Sequence, residues 1–468
     1  MSNLIDVSLK IKPVLDPGFV PAALWNRAFE NKLKENGNPQ PLTISLERNE
    51  DSCSVTKCEV FPHEGEYVDL NNRYVERLLK YLLWQKGGHK VRVAGDPGIA
   101  AYLKKTYSPG GERAFDYEFM GEKIYGKPFS VEHCADPSEL VEKERAEALG
   151  GHQDGCRIGF DLGGSDRKCA AVIDGEVVHT EEVVWDPYFQ KDPSFHYEGI
   201  NDSLKRAAAK MPRVDSIGGS AAGVYVNNEV RVASLFRGVS PEDFKQHVER
   251  LFYRLQEEWD NVPFIVVNDG EVTALAGAMA AEDGALLGVA MGTSCAAGYV
   301  NPDGNITDWL DELAFVPVDY RTVHPPQDEW SGDYGIGANY FSQQAVARLA
   351  PVAGIQLPED MPFAERLVEV QRLMDEGDER ARQIYETIGT YFGYNLAQYN
   401  DRYDLRHVLV LGRVMSGPGG DLILEQARKV MEVEFPELAG KIELVTPDEK
   451  MKRHGQAVVA ASLPELAK

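Results

Sequence analysis

The sequence predicts an α/β protein with two sheets. Short apolar runs of strand length recur from Arg157 onward, helical stretches separate several of them, and an Asp-Gly turn joins two of the runs as a hairpin.

Residues 1–150 have their own texture. Val7–Ile11 and Leu42–Leu46 alternate like half-buried strands. Tyr74–Trp84 (YVERLLKYLLW) predicts a helix with Val75, Leu78, Leu79 and Leu82 on one face, stopped by Gly87-Gly88 and followed by a short strand at Val91–Val93. A small α/β domain over 1–150 fits. Pro137–Gly151 predicts a charged helix ending in a Gly-Gly hinge. Beyond it, strands are expected at Arg157–Phe160, Cys169–Ile173, Ser216–Gly219, Phe264–Val267, Leu286–Met291 and His407–Leu411, with helices at Pro241–Trp259, Val272–Ala281 and Glu379–Tyr399.

At 468 residues and 43% hydrophobic, the chain has material for two to four domains. A formal net charge of -25 argues against a nucleic-acid partner, whose phosphates need a cationic surface. No apolar run reaches the ~18 residues of a membrane span, and MSNLIDVSLKIKPVLDPG lacks the apolar stretch of a secretion signal. A soluble, cytoplasmic enzyme is the expectation, with no membrane partner. The six cysteines form no C-x-x-C pair and read as buried thiols.

The segment GFDLGGSDRK (159–168) lies between two strands, so it is a hairpin turn and not a strand-to-helix nucleotide motif. Its chemistry still suits phosphate. Gly163 and Gly164 open the backbone to an anion, Ser165 offers a hydroxyl, Lys168 a point charge, and Asp161 a carboxylate for hydrated Mg²⁺. Four further segments repeat the theme at strand ends: the small-residue run Ser216–Val224, Asn268-Asp269 before an alanine-rich helix, Gly292-Thr293-Ser294, and Leu411-Gly412-Arg413 followed by Ser416–Gly420.

Over roughly residues 157–468 this ordered set resembles the actin–hexokinase–heat-shock ATPase (ribonuclease H-like) fold, and more narrowly the ROK (repressor/ORF/kinase) family of sugar kinases and repressors. D-x-G-G-T-x-x-K of that family matches Asp161–Lys168 with Ser for Thr; N-D matches Asn268-Asp269; G-T-G matches Gly292-Thr293-Ser294; strand-G-G matches Leu411-Gly412 with Arg413 for the second glycine. The resemblance implies a first lobe over 156–275 completed by a C-terminal helix at 453–468, and a second lobe over 276–452. It also implies an N-terminal domain added ahead of the first phosphate hairpin.

By the same resemblance, Asp269 is the general base, Asn268 and Glu312 bind the acceptor, and Gly163, Gly164, Ser165, Lys168, Gly292 and Thr293 face the phosphates. Gly412 and Gly417 lie near adenosine, and Asp161 stands behind the Mg²⁺ waters. ATP and Mg²⁺ are the implied cofactors, and a sugar or related polyol the implied partner. The family's zinc-binding E-x-G-H has Phe315 where histidine would be, and Gly332–Asn339 contains no cysteine, so no zinc is expected. From the residues alone, Asp269 also reads as a helix N-cap. The alternatives to a kinase are a non-catalytic sugar or nucleotide sensor on the same fold, and an ATPase or acyl kinase. Residues 1–150 read as a substrate lid or a homodimer contact.

Overall fold

The computed structural model describes residues 5–144, 146–147, 149–447 and 455–466. The N-terminal unit runs α1 (Ala22–Asn36), β1 (Gln40–Asn49), β2 (Ser52–Val60), α2 (Tyr67–Lys86), β3 (Lys90–Ala94), α3 (Pro97–Thr106), α4 (Ala114–Glu118), a π-helical turn at Phe119–Lys123, and β4 (Ser130–Cys134). Its sheet has the order β2-β1-β3-β4. The α2 helix is longer than the apolar stripe predicts and is buried on nearly every side, because it lies between this sheet and the second lobe.

Two expectations for this unit are corrected. Val7–Ile11 forms no strand. Its alternating side chains Val7, Leu9 and Ile11 pack on the core, but helix side chains satisfy its backbone: Lys10 N–H donates to Glu434 (2.5 Å) and Ile11 C=O accepts from the Tyr394 hydroxyl (2.8 Å). Pro137–Gly151 is not a helix either, Arg145 and Ala148 lying outside the described residues. It holds one 3₁₀ turn at Pro137–Glu139, and β5 (Ala146–Glu147) then pairs with a strand of the second lobe. Lys143 exchanges backbone hydrogen bonds with Cys53 (2.8 and 3.0 Å), and that pairing overrides the helical charge pattern.

The first lobe contains β6 (Cys156–Leu162), β7 (Asp166–Ile173), β8 (Glu176–Val184), α5 (Ser194–Ala208), β9 (Ser216–Ala221), the hairpin β10 (Val224–Val226) and β11 (Glu229–Val232), α6 (Pro241–Asp243), α7 (Leu251–Glu258), β12 (Phe264–Asn268) and α8 (Asp269–Ala281). The helix expected over Pro241–Trp259 is broken. A π-helical turn occupies Phe244–Val248, and Glu249 C=O accepts from Val230 N–H of β11 (2.9 Å) instead of continuing a helix.

The second lobe contains β13 (Leu286–Met291), β14 (Cys295–Val300), β15 (Ile306–Thr307), α9 (Gln343–Val352), α10 (Phe363–Asp375), α11 (Glu379–Asn400), β16 (His407–Leu411), α12 (Pro418–Glu434), α13 (Pro436–Ala439) and β17 (Glu443–Val445). Sheet orders β12-β9-β6-β7-β8 and β17-β16-β13-β14-β15-β5 share one plan, an antiparallel meander whose first strand pairs in parallel with later strands. Of the helix expected at 453–468, the described part is α14 (Gln456–Ala461); residues 453, 454, 467 and 468 lie outside the described residues.

The N-terminal unit and the second lobe share one apolar core that includes Phe29, Trp84, Leu287 and Tyr340, whereas the first lobe packs around Phe160, Phe252 and Phe264. A third cluster, with Val272, Leu286, Leu409 and Val459, forms the seam between lobes. Within the larger core, Lys80 of α2 is fully buried, its Nζ 2.7 Å from both Asp116 and Asp333. Arg113 adds contacts to Glu76 (2.6 Å) and Asp333 (2.5 Å), so the second-lobe loop that carries Asp333 is bound to the N-terminal unit by charge.

Replacing Lys80 by Met leaves two buried carboxylates without their ammonium. Urea unfolding is expected to show a loss of about 3–5 kcal/mol. The α14 helix rests on glycines: a Cβ at Gly218 would stand 1.7 Å from Ala460 O, and one at Gly159 1.7 Å from Ala457 O. Gly218→Ala should therefore cost about 1–3 kcal/mol or more through forced separation of helix and sheet, read in the same assay.

Candidate active site between the lobes

Register brings the acids together. The β6, β9 and β12 strands are parallel, with Asp161 opposite Ser220 and Ala221 opposite Asn268, so all end on one edge. Asp161 is buried. It accepts from the Ser220 hydroxyl (2.8 Å), while Lys168, 3.9 Å away, sits closer to Asp166 (3.0 Å). Gln456, at the start of α14, turns its amide nitrogen to Asp161 and donates to both carboxylate oxygens (3.0 and 3.1 Å), while its oxygen accepts from Thr273 (2.8 Å). Burial pushes the Asp161 carboxyl up to about 6; Ser220 and Lys168 oppose that rise, and the charge of Asp269 adds to it. The two acids thus share one field.

Asn268, not Asp269, caps α8. Its side-chain oxygen accepts from Gly270 N–H (2.7 Å). The Asp269 carboxyl is therefore not needed as the cap, and burial holds it above the usual carboxylate range. The Asn268 amide nitrogen donates to Gly223 C=O (2.7 Å), which leaves this side chain one N–H and one lone pair for any ligand.

Glu312 is placed by the N-terminal unit. Its N–H donates to Trp84 C=O and that of Asp311 to Gln85 C=O, each at 2.9 Å, at the end of α2. Burial raises Glu312 to about 7, with Asp269 and Asp311 adding like charge. Asp311, also raised to about 7 by burial, accepts from the Tyr403 hydroxyl (2.7 Å). Phe315, one 3₁₀ turn on, packs against Trp84 (4.2 Å) and Trp330 (5.4 Å).

The glycine turns are more committed than their composition suggests. Gly163 N–H closes on Asp166 C=O (3.0 Å), and Gly163 C=O accepts from the Trp185 indole (2.8 Å). The space beside Gly164 is taken by Tyr188, whose hydroxyl would lie 1.9 Å from a Cβ there. Ser165 donates to Asp166 (2.8 Å). In the second lobe, Gly292 C=O accepts from Gln343 N–H (2.9 Å), and Thr293 is exposed. Gly412 has φ 102 and faces Met291 O, 2.5 Å from where a Cβ would stand. Gly417 immediately precedes α12.

A cleft of about 290 Å³ opens beside Asp269, not over it. Arg48, Asn49 and Tyr125 of the N-terminal unit form one wall, Tyr225, Tyr253 and Glu271 another, and Thr307–Leu310 a third. Tyr225 lies within the field of Asp269. Among these contributors, Ser220 lay in a segment the sequence had singled out, while Gln456, Asp311 and the N-terminal residues carried no local signal.

The acids set a pH dependence. A buried acid with a raised pKa keeps its proton to higher pH when folded than when unfolded, so its cost appears only as pH climbs from the ordinary value through the folded one. For Glu312 that window runs from 4.5 to about 7. Glu312→Gln should leave stability little changed near pH 5 and raise it by on the order of 2 kcal/mol at pH 8, measured by urea unfolding across the range.

No family model matches the chain, and no curated protein matches it. Among solved structures, the ROK hexokinase from Thermus thermophilus aligns with a TM-score of 0.52 at 19% identity, covering 66% of this chain and 97% of its own. A ROK family glucokinase from Streptomyces griseus, solved with glucose and AMPPNP, aligns at 0.46 and 20% identity, covering 66% of this chain and 99% of its own. A ROK family transcriptional regulator, homolog of the E. coli MLC protein, aligns at 0.49 and 16%, covering 78% and 88%. The first of these carries the comparison. With the paired sheets and the interlobe seam, it establishes that the chain has the two-lobed α/β fold of the ROK hexokinase, with additional chain beyond it.

Proposed function

We propose that the protein belongs to the ROK kinases and transfers the γ-phosphoryl group of ATP to a hydroxyl of a sugar or related polyol. The observation that carries this reading is that the parallel strands β6, β9 and β12 bring Asp161 and Asp269 to one carboxyl edge, near enough for the charge of Asp269 to raise the Asp161 carboxyl. Ligands of open α/β sheets collect at this edge. The hexokinase name of the Thermus protein supports a sugar acceptor.

Asp269, whose carboxyl burial holds above its ordinary range, is the general base that accepts the hydroxyl proton. Asn268 spends its remaining N–H and lone pair on the acceptor, and Glu312 takes its hydroxyls. The turns at Gly163–Ser165 with Lys168, and at Gly292-Thr293, face the phosphates; Gly412 and Gly417 flank the adenosine. Among the described residues no three His, Cys, Asp or Glu gather as metal ligands. Asp161 would hold a hydrated Mg²⁺ ion through its waters, and that ion would supply charge neutralisation to the phosphates. Among the described residues no helix is long and apolar enough to cross a membrane.

A coupled ADP-release assay over hexoses, amino sugars and polyols tests the proposal. Asp269→Asn is expected to lower turnover by about 10²–10⁴-fold with the fold intact. Turnover that survives this change refutes the base. A sugar that raises Tm with no ADP released by the unaltered protein would identify a sensor instead.

A further inference from the structure

One cation of the first lobe has no acid to answer it. Arg237 is exposed just after the 3₁₀ turn Ser234–Phe236, and among the described residues its guanidinium makes no ion pair and no hydrogen bond. It is held all the same, 3.9 Å over the Tyr188 ring and 4.9 Å over that of Phe189. The turn that carries it is fixed to the Trp185–Gln190 segment in two ways. Fully buried His196 sets its Nε2 3.1 Å from Pro187 O and 2.9 Å from Leu235 O. Gly238 lets the two backbones touch, since a Cβ there would stand 2.6 Å from Gln190 O. The same segment braces the glycine hairpin after β6. Trp185 N–H donates to Ser165 C=O (3.1 Å), its indole N–H to Gly163 C=O (2.8 Å), and the Tyr188 hydroxyl closes on Gly164. Arg237 is thus one aromatic ring away from Gly164.

A second, separate feature belongs to the hairpin itself. The N–H groups of Gly164 and Ser165 donate to nothing among the described residues, and neighbouring free backbone donors form the kind of concavity that binds an anion. The hairpin's own cation is already engaged: Lys168 lies 3.0 Å from Asp166 and 3.9 Å from Asp161.

We infer that Arg237 is the cation of the phosphate site, binding the terminal phosphate of the nucleotide while the N–H groups of Gly164 and Ser165 donate to the same group. This rests on the kinase reading above and adds a binding residue to it. Arg237 and Asp269 belong to the first lobe, whereas the turns assigned to adenosine belong to the second, so the phosphate that Arg237 meets is the one farthest from adenosine. A guanidinium suits the role because its planar fork grips two phosphate oxygens and stacks on an aromatic face at the same time.

Calorimetric titration of ATP, ADP and inorganic triphosphate, each with Mg²⁺, tests the inference. Arg237→Met keeps an apolar stem over the Tyr188 ring and removes the charge, and unchanged urea unfolding confirms its fold. It is expected to weaken ATP and triphosphate by about tenfold or more and to leave ADP within about twofold. Arg237→Lys should recover part of that loss, because it restores the charge without the fork. Unchanged ATP affinity in Arg237→Met, an equal loss for ATP and ADP, no recovery in Arg237→Lys, or no nucleotide bound by the unaltered protein overturns the inference. The two proposals fail separately. ATP held through Arg237 with no ADP released upholds this one and refutes the kinase; turnover with ATP affinity unmoved in Arg237→Met does the reverse.

Discussion

The α2 helix is enclosed on nearly all sides, and that enclosure organises the molecule. Its C-terminal half holds Lys80 among buried carboxylates, which binds the Asp333 loop to the N-terminal unit. Its last carbonyls, on Trp84 and Gln85, hold the backbone of Asp311 and Glu312. A helix that belongs to the extra unit thus sets the position of acids in the cleft of the two-lobed fold. Burying a lysine is costly unless its charge is met, so the network admits only the arrangement in which unit and lobe are docked.

Sheet geometry does the corresponding work in the first lobe. Parallel strands deliver Asp161, Ser220, Asn268 and Asp269 to one edge, and Asn268 takes over helix capping so that the neighbouring acid is available. Burial raises each acid, and the charge of Asp269 adds to the rise of Asp161 and of Glu312. The cleft beside them is walled by three parts of the chain, so its chemistry belongs to none of them separately.

Much of this was legible in the sequence because it is local. Strand ends marked by Gly-Gly-Ser, Asn-Asp and Gly-Thr-Ser announce turns whatever the tertiary context, and the six strands expected beyond Arg157 are all present. What was not legible depends on partners far along the chain. Val7–Ile11 alternates like a strand but finds helix side chains; Pro137–Gly151 has helical charge spacing but its backbone finds Cys53. Asp269 could be read as a cap because Asn268 and Asp269 are both good caps, and only the fold chooses between them. The glycines after β6 suggested an open cradle, whereas Tyr188 fills part of that space.

The amide that steadies Asp161 belongs to Gln456, almost three hundred residues further on, in a helix seated directly against Gly159 and Gly218. During synthesis, both lobes emerge from the ribosome before that helix does. The first lobe must therefore wait with an uncovered groove on its sheet and a half-solvated acid at its rim, and the interlobe site is completed only by a segment made after both lobes.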